Sequence, residues 1–261
     1  MRSYIWTILF LNLCFGLQGQ KLIDVLSDHE INAHQDFTIS NTSGLSFYDF
    51  DEDGWDDLTY PMHNDSILFY KNINGTLTKI NSYIYATGTV RQMLWVDYDN
   101  NGTLDLCISY DEAELKLYKN DGNFNFTDVS VSAGIFPSVS IPYGFSFADV
   151  DNDLDLDLYL CSYDPSGSKN KYYENQGDGT FLDKTVLYNL GNGIQASFMG
   201  VWFDYNNDQN IDLHIINDRI GGSDALYKNE GGGTFNDLAD SLGVLNADQN
   251  PMTSSISDYN N

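Results

Sequence analysis

Basic residues are scarce in this chain: Lys and Arg together number 12 against 38 Asp and Glu, for a formal net charge of −26. So few cations cannot assemble a patch that neutralises a run of phosphates, which excludes nucleic acid and anionic membrane surfaces as partners. Cysteine is scarcer still, with three in 261 residues. Cys14 lies in the N-terminal apolar run, leaving Cys107 and Cys161, and two thiols cannot make a disulfide framework. Cys107 sits between Leu106 and Ile108 and Cys161 follows Leu160, so buried free thiols are expected rather than a bridge. Helical periodicity is nearly absent. A long apolar run occurs only at residues 4–17, after Arg2 and before Gly19 and Gln20. It is shorter than the roughly 20 residues a membrane span needs. The order of charge, apolar run and small residue reads as a secretory signal over residues 1–19, with no span left after its removal. Cys14 is a poor lipid-attachment position, because Phe15 follows it where a small residue is favoured.

What the chain has in excess is aspartate, and it recurs in register. Loops begin at Asp49, Asp97, Asp149 and Asp204, separated by 48, 52 and 55 residues, and a fifth copy opens at Asp258. A second landmark follows each loop: Tyr70 to Asn72, Tyr118 to Asn120, Tyr173 to Asn175 and Tyr227 to Asn229, each Tyr and Asn enclosing one residue. A third, Ala133 with Gly134, Leu190 with Gly191 and Leu242 with Gly243, marks the passage to the next unit. Gly-rich turns at Gly177–Gly179 and Gly231–Gly233 precede Phe181 and Phe235, a hairpin signal. Four short strands per repeat of about 50 residues is the pattern of a propeller blade stacked against its neighbours. The expected fold is therefore all-β, a β-propeller of four-stranded blades. A β-sandwich would not explain one loop recurring at the same place in every unit.

Within each loop, positions 1, 3, 5 and 9 carry Asp or Asn. These are Asp49, Asp51, Asp53 and Asp57; Asp97, Asp99, Asn101 and Asp105; Asp149, Asp151, Asp153 and Asp157; and Asp204, Asn206, Asp208 and Asp212. Alternate side chains on a tightly curved loop converge, and hard oxygen ligands in that number suit calcium; position 7 would add a backbone carbonyl. Transition metals would call for His or Cys, which the loops lack. Asp and Asn are also the usual turn residues, but four copies in register, each with Leu at position 10 (Leu58, Leu106, Leu158, Leu213), favour about four bound calcium ions. The loop is not an EF-hand: position 12 should be a bidentate Glu and is instead Tyr60, Ile108, Leu160 or Ile215.

Taken together these residues resemble FG-GAP and VCBS-type repeats, the calcium-loop blades of integrin α-subunits, cartilage-acidic-protein-like proteins and many secreted bacterial proteins. The resemblance spans residues 35–261, after a lead-in at 20–34, and implies that the sixteen side chains named above are structural calcium ligands in a hairpin between blade strands. It also implies that partners bind elsewhere on the propeller. Leu154 and Gln209 depart from the pattern, standing where the loop glycine is expected. Propellers of this kind commonly have about seven blades, so four repeats and the start of a fifth are expected to be a fragment, within the handful of blade counts such folds adopt.

Catalytic patterns are weak. His29 and His34 are five apart where a zinc-binding helix face requires four. Ser146 lies between Phe145 and Phe147 in an alternating stretch ending in Ala148, a strand rather than a hydrolase elbow. Close carboxylates also occur in glycosidases, but here they gather in fours on repeated loops. The sequons at Asn41 and Asn74 matter only in a glycosylating host. The functional expectation is a secreted or cell-surface, non-enzymatic binding or adhesion module for an extracellular protein or glycan. The alternative is the scaffold of a polysaccharide lyase or hydrolase whose catalytic residues lie elsewhere.

Overall fold

The computed structural model describes residues 44–62, 66–111, 114–136, 141–164, 167–218, 222–246, 251 and 253–254. The expected signal, the lead-in with His29 and His34, the sequon at Asn41 and the copy at Asp258 lie outside them. The described residues belong to one compact unit, as does every element below.

Among the described residues, sixteen strands follow one another in four antiparallel sheets of four. The first holds β1 (Ser46–Tyr48), β2 (Asp57–Met62), β3 (Ser66–Ile73) and β4 (Thr76–Tyr85). The second holds β5 (Val90–Val96), β6 (Asp105–Tyr110), β7 (Leu115–Asn120) and β8 (Phe126–Asp128). The third holds β9 (Pro142–Ala148), β10 (Asp157–Ser162), β11 (Lys171–Asn175) and β12 (Phe181–Asp183). The fourth holds β13 (Ser197–Phe203), β14 (Asp212–Asn217), β15 (Ala225–Asn229) and β16 (Phe235–Asp237). In each sheet the strands pair in sequence order, a simple meander. A single helical turn, α1 (Ala239–Leu242), follows β16 and ends where Gly243 takes a φ of 72°; nothing in the sequence pattern anticipates it.

The second strand of each sheet explains the stacking. β6 and β10 are buried at every position, which an alternating strand achieves only with both faces covered. Leu106, Ile108 and Tyr110 pack toward the first sheet, with Ile67, Phe69 and Trp95. Cys107, one residue out of phase, packs toward the third sheet with Leu158 and Leu160. In turn Tyr159 and Cys161 face the fourth sheet, meeting Leu213 and Ile215. Three apolar layers therefore lie between four sheets, a β-propeller-like stack whose stability comes from burying side chains worth roughly 1.5–3 kcal/mol each. Both thiols are free and buried, one in each of two layers, as the sequence led one to expect.

Polar contacts lock the stack. The Gln92 side-chain amide donates to the Phe145 carbonyl and accepts from the Phe145 N–H, both at 2.9 Å, joining β5 to β9. The Trp95 indole N–H donates to Thr59 Oγ1 at 2.9 Å. Ser146 lies within β9, as a strand residue. Gly144, on the same strand, lies so close to β13 that a Cβ there would sit 2.3 Å from the Phe198 carbonyl oxygen. Substitution by Ala would force the two sheets apart.

Candidate metal centres

The Asp loops join the first two strands of each sheet, between β1 and β2, β5 and β6, β9 and β10, and β13 and β14. All four share one backbone path. Position 4 has a positive φ in each, at Glu52 (59°), Asn100 (54°), Asn152 (62°) and Asn207 (60°). Position 6 does too, at Gly54 (89°), Gly102 (82°), Leu154 (76°) and Gln209 (70°). Leu154 and Gln209 thus hold the conformation that glycine adopts freely, at a steric cost.

The position 1 carboxylate shapes the loop from inside. Asp49 accepts the N–H groups of Asp53 and Gly54 at 2.9 and 2.7 Å. Asp97 does the same for Asn101 and Gly102, Asp149 for Asp153 and Leu154, and Asp204 for Asp208 and Gln209. Position 5 then accepts from the N–H of position 7: Asp53 from Trp55, Asn101 from Thr103, Asp153 from Asp155 and Asp208 from Asn210.

Position 9 opens the second strand and is buried in all four repeats, at Asp57, Asp105, Asp157 and Asp212. One oxygen of each accepts the backbone N–H of the landmark asparagine, Asn72, Asn120, Asn175 or Asn229, at 2.7 to 2.8 Å. Each of these asparagines also donates its side-chain amide to the carbonyl of position 8, at 3.0 to 3.2 Å. They clamp loop to hairpin, a role the sequence reading did not assign although their fixed place after the tyrosine was the signal for it. The other oxygen accepts from position 2 in three loops, Asp57 from Phe50, Asp157 from Val150 and Asp212 from Tyr205. Asp157 additionally accepts the Tyr172 hydroxyl at 2.9 Å.

The second loop differs. Asp105 Oδ2 is buried and accepts no hydrogen bond, and the same holds for Oδ1 of Asp99 beside it; in the first loop Asp51 Oδ1 is likewise without a partner. Asp97, Asp99 and Asp105 bring carboxylate oxygens within 4.8 Å of one another, as do Asp49, Asp51 and Asp53, and Asp149, Asp151 and Asp153. Asp57 and Asp157 stay outside these groups, each held by two backbone N–H donors. The fourth loop gathers no such triad among the described residues; its position 3 is Asn206, whose amide donates to Asp208 Oδ2 at 3.0 Å.

Electrostatics follows burial. Desolvation pushes Asp57 up to about 6 and Asp105 and Asp157 up to about 7, despite the N–H groups that favour their ionised forms. Asp151 is raised by burial and by the charge of Asp153. Buried carboxylates that are raised in this way and lack donors are the chemical complement of a cation. A hard, oxygen-preferring divalent ion fits the donor set of the second loop: acidic oxygens, one amide oxygen from Asn101, and neither imidazole nor thiolate.

A family model described as FG-GAP-like repeat matches residues 49–108 and 97–160. Each match opens on position 1 of an Asp loop, at Asp49 and Asp97, and ends inside the second strand of the following repeat, at Ile108 and Leu160. No curated protein matches the chain. Among solved structures, one of an Agrocybe aegerita lectin, described as specifically recognising non-reducing terminal N-acetylglucosamine, aligns at a TM-score of 0.45 and 20% identity. The alignment covers 75% of this chain and 52% of that one, so the chain spans about half the length of the lectin. No helix among the described residues is long and apolar enough to cross a membrane. The repeats that begin at Asp49 and Asp97 are thus similar to FG-GAP-like repeats.

Proposed function

We propose that the chain is a calcium-braced β-propeller module that works outside the cell by binding a glycan or protein, without catalysing a reaction. The observation that carries the metal half of this reading is the pair of buried, unpartnered oxygens in the second loop, Asp99 Oδ1 and Asp105 Oδ2, beside Asp97. Asp97, Asp99 and Asp105 would hold the ion there, and Asp49 with Asp51 and Asp149 with Asp151 would supply the equivalent acids in the first and third loops. A bound calcium supplies positive charge that offsets mutually repelling carboxylates and ties the loop to the strand that Asp105 opens. Extracellular calcium near 1 mM and a dissociation constant near 10⁻⁴ M, ordinary for extracellular modules, would stabilise the fold by about 1.4 kcal/mol per site.

The binding half rests on how the acids are used. Position 1 carboxylates hold loop N–H groups and position 9 carboxylates hold the hairpin, so the acids are engaged in loop architecture rather than facing a reacting bond. That leaves the stacked sheets as a rigid platform and the exposed turns as recognition surface. A glycan and protein array probed with the full chain, in calcium and in chelator, tests the reading. Calcium-dependent capture of a ligand without turnover is the expected outcome. Cleavage of an arrayed glycan would replace it with a polysaccharide lyase or hydrolase.

A further inference from the structure

The four loops share a backbone but not a neighbour. The residue enclosed by the landmark Tyr and Asn reaches back to its own loop. Lys71 pairs with Asp51 and, at 3.2 Å, with Asp53; Lys119 pairs with Asp99; Lys228 lies 3.6 Å from Asp208. In the third repeat the enclosed residue is Glu174. It turns to the Tyr188 hydroxyl at 2.6 Å and to Lys184 at 3.4 Å, and its charge adds to those that raise Asp151.

In the second loop the division of labour is visible atom by atom. Lys119 Nζ donates to Oδ2 of Asp99, while Oδ1 of the same carboxylate is buried without a partner. The Asp99 side chain is only 10% exposed. Asp105 is fully buried, with Oδ1 taken by the Asn120 N–H and Oδ2 free. Three carboxylates, Asp97, Asp99 and Asp105, face one ammonium. With all three ionised, their combined charge with the ammonium is that of two electrons, the complement of a single divalent cation.

We infer that Lys119 is a built-in counter-charge of the second loop: it fixes the Asp99 carboxylate with one oxygen presented for a cation, and by its own charge it holds the loop's calcium affinity down. The inference rests on the calcium reading above and adds to it which residue sets the strength of a site. Both effects follow from one contact, because an ammonium that orients a ligand oxygen also repels the ion that oxygen would bind. Of the two, the charge dominates. Asp99 is already confined by its burial, so removing the lysine costs little orientation, whereas a unit charge one carboxylate away from a divalent ion changes affinity by about tenfold even in a solvent-like dielectric. The third loop, with Glu174 in the same place, shows the opposite polarity, and Glu174→Lys would bring it under the same restraint.

Calorimetric titration of the full chain with calcium chloride tests this in the wild type, Lys119→Gln, Lys119→Arg, and Lys119→Gln combined with Asp105→Asn. Lys119→Gln is expected to tighten one site about tenfold with the number of sites unchanged. Lys119→Arg, which keeps the charge, should titrate like the wild type, and adding Asp105→Asn should abolish the gain. Terbium, a trivalent probe, should gain more than calcium in Lys119→Gln, because the third positive charge then meets a third uncompensated carboxylate. Calcium uptake that Lys119→Gln leaves unaltered or weakens would overturn the inference while the calcium reading stands. An absence of calcium heat in every variant would overturn both. Lys119 is partly exposed, at 43%, and the arginine variant separates loss of charge from any effect on folding.

Discussion

The two ends of the third and fourth sheets bury polar groups in different ways. At one end lie the Asp loops, where carboxylates crowd together. At the other, where β10 and β14 finish and β11 and β13 begin, the buried groups are mostly amides and hydroxyls, and the buried Asp224 carboxylate there accepts the Asn217 N–H. Asn170 accepts the Ser162 N–H at 2.8 Å and donates to the Tyr159 hydroxyl and to Ser197 Oγ, at 3.1 and 2.9 Å. Ser197 donates to Asn217 Oδ1 at 2.6 Å, Asn192 donates to the same oxygen at 3.0 Å, and Asn217 passes its own amide to the Ser223 carbonyl at 2.7 Å. Amides carry donor and acceptor in one group, so a ring of them can satisfy itself. Carboxylates only accept, so a cluster of them cannot, and a cation from outside completes it. Solvent ions should therefore affect one end and leave the other unmoved.

The largest test of that contrast is chelation. If the three loops that gather acids each gain about 1.4 kcal/mol from millimolar calcium, stripping it should remove about 4 kcal/mol, read as a drop in thermal midpoint of about 10 °C. An unchanged midpoint would mean the loops close without an ion. Next comes the amide end. Asn217→Ala deletes the acceptor of Ser197 and Asn192 and should cost about 2–3 kcal/mol by urea denaturation, equally in calcium and in chelator. A cost that depended on calcium would show that the two ends are not independent.

Acidity should move the ends in opposite directions. In chelator, Asp57, Asp105 and Asp157, raised above 3.8 to about 6, 7 and 7, hold protons between pH 4 and 7 that the unfolded chain has released. Stability at the loop end therefore rises as pH falls through that window, by up to about 1.4 kcal/mol per pH unit for each group, and calcium should flatten the trend. His214 lies 4.0 Å from Asp224, whose other oxygen accepts the Asn217 N–H at 2.9 Å. Burial lowers its pKa from 6.5 more than Asp224 raises it, so protonation below pH 6.5 favours the unfolded chain. His214→Gln should remove that acid-side loss, measured by chemical denaturation with calcium present. The smallest effect concerns backbone strain. Leu154→Gly relieves a φ of 76° at an 82% exposed position and should stabilise the chain by about 1 kcal/mol. Gly54→Leu, the reverse change in the first loop, should cost about as much.

Much of the fold was legible because its signals are local and periodic. The alternation from Gly144 to Ala148 became β9, the stretch before Asn175 became β11, and Phe181 and Phe235 open β12 and β16 where the Gly-rich turns placed them. The turn α1 was not legible, since four residues carry no helical period. In the loops, spacing located all sixteen side chains but could not divide their labour. Position 9 reads as a ligand in every copy, yet Asp57, Asp157 and Asp212 have both oxygens on N–H donors while Asp105 keeps one oxygen free. The difference depends on whether the N–H of position 2 turns toward position 9, and no residue type at that position announces it.

The sequence by itself determined the repeat, the four strands of each unit, the place of each Asp loop and the burial of Cys107 and Cys161. These follow from short-range rules: turn chemistry, two-residue alternation and a charge pattern that recurs about every 50 residues. Only the tertiary structure decided what each loop faces. Lys71, Lys119, Glu174 and Lys228 stand some 18 to 23 residues after the acids they border or, in Glu174's case, turn from. Whether such a side chain neutralises a carboxylate or leaves it for an ion depends on how the hairpin folds back across the sheet. Coulomb energy falls with distance in space, not along the chain, so the charge balance of each loop was fixed only when the strands had paired.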